Sequence, residues 1–159
     1  MGNIKYSRRK TRRFLFQRLY ANHFGHIWRE ALEETFFRPN FLDGMDYDYL
    51  DEMYSWILEK EPELVYVISK YAKKFNIKRM KVEQLLPILI GSYEIMFSKE
   101  EIPAKVIVNE AVELAKLFTD DATKKFTNWV LNSILENHLA LLEEVSKLEE
   151  KKNYFFTKK

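Results

Sequence analysis

With 159 residues the chain can bury a real core in one compact domain, and the absence of cysteine excludes disulfides and thiol catalysis and fits a reducing, cytosolic setting. It is 47% hydrophobic with only four Gly and four Pro, a balance that favours helices over turn-rich β architecture; no apolar run reaches the ~20 residues that span a bilayer, and no signal-peptide pattern opens the chain. The formal charge of +2 conceals segregation: Lys5, Arg8, Arg9, Lys10, Arg12 and Arg13 stand without an acid, Asp43 to Glu63 holds eight acids against one Lys, and Lys70 to Lys81 is basic again.

No repeat, low-complexity tract or linker interrupts the chain, so a single domain over residues 1–159 is expected. The first helix is expected from about Tyr6 to Tyr20 or beyond, its front turns cationic and its later turns gripping through Phe14, Leu15, Phe16, Leu19 and Tyr20. Cations crowded at a helix N-terminus oppose the macrodipole at about 0.3–1 kcal/mol each where exposed, and an anion would relieve that cost. A second helix is expected over Ile27 to Phe37, ending before Pro39. Asp46 is placed to cap a third, where Leu50, Met53, Tyr54, Ile57 and Leu58 repeat at helical spacing. Pro62 is expected to open a fourth, buried through Leu64, Val65, Ile68, Tyr71, Ala72 and Phe75, with Lys73 and Lys74 at its favourable end.

Val82 to Phe97 is apolar almost throughout, the pattern of a helix central to the packing, and Pro87 should bend it if it starts near Val82. From Ile102 to Phe118 the apolar Ala104, Ile107, Val108, Ala111, Val112, Leu114, Ala115 and Phe118 share an arc of roughly 160°, wide enough for a core-facing helix opened by Pro103. Val106 and Leu117 fall among its polar residues and suggest a second, smaller contact. Thr119, Asp120 and Asp121 break this helix and can cap the last one, expected from near Ala122 to about Lys151. Tyr154, Phe155 and Phe156 either fold back or fray.

The basic opening is the sharpest functional candidate. A solvated tail is the plain alternative, but Arg predominates over Lys, which suits bidentate phosphate and base-edge contacts in RNA. His23, His26 and Glu30 share helical spacing without a fourth ligand or an outer shell, so no metal is expected. Nor is there a nucleophile elbow, a glycine-rich phosphate loop or a paired-carboxylate arrangement, so neither catalysis nor a cofactor is expected.

The run Ile-Pro-Ala-Lys-Val-Ile-Val-Asn-Glu-Ala-Val-Glu-Leu-Ala-Lys-Leu-Phe (102–118), with Lys125-Phe126-Thr127-Asn128-Trp129-Val130-Leu131, resembles the signature of the NusB family of transcription antitermination factors. The resemblance extends to Arg8-Arg9-Lys10-Thr11-Arg12 and Gln17-Arg18-Leu19-Tyr20. It spans about residues 8–131 and leaves 132–159 as a helical C-terminal extension. It implies an all-α, NusB-like fold of about seven helices in two packed sub-bundles. It also implies an adaptor that binds boxA-like single-stranded RNA together with NusE, a small-subunit ribosomal protein, and so acts indirectly on RNA polymerase in ribosomal RNA operons. Carried over on the matching positions, the RNA contacts would be Arg8, Arg9, Lys10 and Arg12 on the first helix, with Phe118, Thr123, Lys125 and Phe126 around the last helix's start. Exposed rings beside cations suit unpaired bases, though Phe118 and Phe126 read equally as core.

The NusE-facing positions would be Tyr20 and Glu83, with Tyr20 as plain core the alternative. Ala122 stands where the family commonly has Asp, Thr119 replaces a frequent Gly, Arg13 a frequent acid, and Trp129 the Gly of the usual Asn-Gly-Val-Leu run. These departures bear on base discrimination rather than phosphate attraction. A helical Gly admits a neighbouring backbone, so Trp129 calls for displaced helices or outward exposure, and a repacked core Trp is expected. The competing reading is a helical protein-interaction module, or a homodimer that covers its RNA face and binds RNA weakly and without sequence preference.

Overall fold

Ser7 opens the first helix: its hydroxyl accepts the Lys10 N–H at 3.2 Å, and its carbonyl accepts the Thr11 N–H at 3.0 Å. The computed structural model describes residues 7–24, 44–72, 79–149 and 156. Among these the chain forms α1 (Arg8–Phe24), α2 (Tyr47–Tyr71), α3 (Val82–Met96), α4 (Ala104–Phe118) and α5 (Asp121–Ser146), and no strand. The fold is all-α, as expected.

The helix count differs from about seven for two reasons. The helix expected over Ile27 to Phe37 lies outside the described residues, as do Lys73, Lys74 and Phe75. The helices expected at Asp46 and Pro62 are one: α2 runs unbroken through Pro62. Proline removes one N–H and crowds the preceding turn, but here both flanks of the residue bury Leu58, Leu64, Val65 and Ile68, and this packing holds the helix together. Asp46 caps α2 as its position suggested, its Oδ1 accepting the Tyr49 N–H at 3.1 Å. Gly44, just before it, turns the chain at φ 78°, which L side chains rarely adopt.

α3 starts at Val82, so Pro87 lies inside it. It touches all four other helices and is buried along most of its length. At Gly91 an added Cβ would sit 2.7 Å from Leu131 Cδ1 and 3.3 Å from Ala111 Cβ, so this glycine is where α3, α4 and α5 close on one another. These three helices pack closely on one another, and α1 packs with α2, each of which also meets α3.

Pro103 is the N-cap residue of α4 rather than its first helical residue, and Ile107, Val108, Ala111, Leu114 and Ala115 form the buried stripe. Val106 and Leu117, which suggested a second, smaller contact, are exposed instead. Asp120 caps α5 through the Thr123 N–H at 2.8 Å; α5 ends at Ser146, short of Lys151. Phe156 is buried in the core, whereas Tyr154 and Phe155 lie outside the described residues. No described helix is long and apolar enough to cross a membrane.

Candidate nucleic-acid interface

The six cations at the chain's start create a need for anions, and the fold supplies several of its own. Arg8 donates through Nε to Asp46 Oδ2 at 2.8 Å, and through Nη1 and Nη2 to the two oxygens of Glu100, each at 2.8 Å. Its guanidinium also lies 4.2 Å from the Tyr49 ring centroid, a cation–π geometry. The hydrogen bonds to Glu100 raise the Arg8 pKa, and the same bonds hold the Glu100 carboxyl below its ordinary value. Asp46 is fixed in turn: its N–H donates to Thr11 Oγ1 at 3.0 Å, and the Thr11 hydroxyl donates to the Ser7 carbonyl at 2.7 Å. The starts of α1 and α2 are thereby stitched together.

Arg9 pairs with Glu110 of α4 through Nη2 and Nε, at 3.0 and 3.2 Å, while its side chain remains half exposed. Lys10 is half-buried and Arg13 is exposed. Arg12 differs from all of these. Its side chain is 5% exposed and forms a two-pronged pair with Glu94 of α3, at 2.9 and 3.1 Å, with Glu94 itself 1% exposed. The Tyr49 hydroxyl donates to the same Glu94 carboxylate. Burial opposes the Arg12 charge, yet bonding to Glu94 outweighs it and the pKa is raised; burial, then the Glu94 charge, pushes the Tyr49 phenol well up. Such a pair, once formed, costs about 3–5 kcal/mol to break by removing one partner. Arg12 is therefore a correction to the sequence reading: its guanidinium faces the core, and it acts as a strut beneath the cationic surface.

The second segment meets the first through one ring contact. Phe118, at the end of α4, stacks on Phe16 of α1 with centroids 4.1 Å apart and planes at 6°. Phe118 and Phe126 are both half-buried against the core, so each presents only part of its ring. Thr123 is buried, its hydroxyl accepting from Gln84 Nε2 at 3.4 Å, which makes it another correction: it braces α5 against α3 rather than facing solvent. Lys125 is exposed. Arg9 reaches α4 through Glu110 and Phe16 reaches its end through Phe118, with the exposed Arg13 on the same face of α1 as both, while Arg12 and Thr123 lie buried beneath the surface.

Trp129 is 54% exposed, its ring edge-on to Tyr71 at 6.5 Å, so the expected repacked core tryptophan is an outward one. The close helix approach falls instead at Gly91. Ala122 and Asp121 are exposed, and Thr119 ends α4 with its hydroxyl donating to the Ala115 carbonyl. Tyr20 is exposed beside Phe24, ring centroids 4.8 Å apart, and Glu83 is half-buried in the first turn of α3. Of the suggested metal trio, His23 is half-buried and His26 and Glu30 lie outside the described residues. The self-pairing of the arginines escaped the sequence reading because the partners lie far along the chain. The signal available was the acid-rich stretch from Asp43, which contributes Asp46 to Arg8 and Asp51 to Arg18.

Comparison with known proteins identifies the architecture. The NusB family model matches residues 9–136. The transcription antitermination protein NusB of Elusimicrobium minutum is 31% identical over 137 residues, covering 84% of this chain and 94% of its own. That of Ligilactobacillus salivarius is 34% identical over 136 residues, covering 81% and 98%. Among solved structures, T. maritima NusB superposes with a TM-score of 0.67 at 24% identity, over 90% of this chain and 99% of that one, a likeness of fold. With the family pattern running from the cationic front of α1 through the α4–α5 hairpin, the chain belongs to the NusB family of transcription antitermination proteins.

Proposed function

We propose that this chain is an RNA-binding antitermination adaptor of the cytoplasm, holding boxA-like single-stranded RNA together with NusE and supporting processive transcription of ribosomal RNA operons. It acts by binding alone, without catalysis. The observation that carries the reading is the partly exposed cationic front of α1, tied to α4 by the Arg9–Glu110 pair and two turns on by the Phe16–Phe118 stack. Arg9, Lys10, Arg13 and Lys125 would meet phosphates, and the partly open rings of Phe118 and Phe126 would meet bases, at about 1–3 kcal/mol per stacked base. Tyr20 and Glu83 would serve NusE, the carboxylate facing that protein's basic surface. Titrating a boxA-like oligomer and its scrambled counterpart against the chain with NusE tests the reading. A clear preference for the boxA-like sequence is expected; equal binding would reject sequence-specific antitermination.

The second reading, a protein-interaction module or homodimer with weak, non-specific RNA binding, has its own support. Arg8, Arg9 and Arg12 all pair with the chain's own acids, and α5 exposes Leu139 at 72% and Trp129. Sedimentation separates it: a dimer that RNA does not disrupt favours this reading, a monomer the first.

A further inference from the structure

The two exposed arginine pairs at the front of α1 are built differently. Arg9 meets Glu110, which is rooted in α4 and only 14% exposed, so a competing anion would draw away the arginine and leave the acid in place. At Arg8 the arrangement is reversed. The arginine is tied down by its Nε bond to Asp46 and its seat over Tyr49. Its acid partner, Glu100, lies in the non-helical link between α3 and α4 with its side chain 56% exposed. The two Nη groups of Arg8 form a fixed fork, and an exposed carboxylate fills it as a phosphate would, with both oxygens at 2.8 Å.

We propose that Glu100 is an internal gate on a phosphate site made by the outer edge of Arg8: in the free chain the carboxylate occupies the fork, and an RNA backbone phosphate enters by displacing it. This rests on the RNA-binding reading above. Asp46 and Tyr49 keep the guanidinium aimed outward while the occupant changes, so the entering phosphate finds an arginine already ordered. Weak, purely electrostatic contacts are disfavoured, because a lone phosphate must replace a carboxylate that already satisfies the fork. An RNA held elsewhere, at the hairpin, brings its phosphate at high local concentration and can compete.

The test compares Glu100→Gln with the wild-type chain in binding a single-stranded RNA oligomer across a salt series. Glu101→Gln is the control, since Glu101 is also exposed and its loss changes net charge equally. Opening the gate should tighten binding ~2–5-fold, the range of an exposed ion pair, whereas Glu101→Gln should do so by less than ~1.5-fold. The log–log salt slope should steepen by up to ~0.7, because the counterion released by the phosphate is no longer offset by one taken up by a freed carboxylate. Adding Arg8→Ala to Glu100→Gln should abolish the gain. Binding by Glu100→Gln alone, with none by wild type, would also support the gate. Equal affinities and slopes for wild type and Glu100→Gln would overturn it and leave the RNA reading standing. Equal gains from Glu100→Gln and Glu101→Gln would reduce it to general charge and overturn it too. Binding by neither chain would remove the RNA reading and the gate together.

Discussion

Arg9 and Arg12 stand less than one turn apart on α1, yet their guanidinium groups meet opposite fates. Arg12 reaches inward to Glu94, where Tyr49 completes a buried polar cluster, and Arg9 stays at the surface against Glu110. Arg12→Ala would strand the Glu94 charge in the core and should cost about 3–5 kcal/mol in urea unfolding. Arg9→Ala should leave the unfolding midpoint unchanged. Equal midpoints for Arg12→Ala and wild type would contradict the buried pair. A second phenol, Tyr93, marks an alkaline limit of the fold. Burial pushes the Tyr93 pKa up to about 12, and the Glu52 charge adds to it, so the fold favours the neutral ring. Because the folded value lies above the unfolded one, this contribution is full below about pH 10 and is lost as pH rises towards 12. Tyr93→Phe should therefore flatten part of the alkaline fall in stability; an unchanged pH profile would count against it. Glu100 works in the opposite sense. Its pKa is lowered by Arg8, so its stabilisation is present above the ordinary glutamate range and lost as pH falls through the lower folded value.

Helix starts carry much of the element-scale order. Asp46 caps α2 and anchors Arg8 with the same carboxylate, so Asp46→Ala should cost about 1–2 kcal/mol through the lost cap, read from thermal or urea unfolding. A null effect would show that neither bond matters to the fold. At the crossing of α3, α4 and α5, Gly91→Ala gains about 1 kcal/mol of helix propensity but forces a methyl within 2.7 Å of a fully buried Leu131. Overpacking of this kind costs about 1–3 kcal/mol, so a net loss of ~1 kcal/mol is expected in urea unfolding, and a gain would mean that Leu131 can yield. The buried stripe of α4, the Asp46 cap and the apolar α3 were legible in the sequence, because local spacing and capping chemistry determine them. Pro62 misled, since the packing on both sides of it is a long-range property. Trp129 misled for the same reason: the close approach it should have relieved is made by Gly91 on another helix.

At the scale of the molecule, the net charge of +2 is the sum of segments that meet in space. The acid-rich start of α2 comes to the basic front of α1, and Glu94, Glu100 and Glu110 add the acids that pair with Arg12, Arg8 and Arg9. The macrodipole argument from sequence asked for an anion at that helix start; it could not say that the chain itself provides several. Family membership was readable from the wording of residues 102–131, whereas the division of the cations into strut, gated fork and open surface needed the fold. The most direct measurement is the binding of a boxA-like single strand, with NusE present, to wild type and to Arg9→Ala/Arg13→Ala between about 50 and 200 mM salt. If roughly 3–5 phosphates are neutralised, the wild-type slope should lie at about −2 to −3.5, a ~20–130-fold loss of affinity over that range, and the variant's slope should be shallower by ~1.4. Equal affinities and equal slopes would contradict the assignment of RNA to the exposed front of α1.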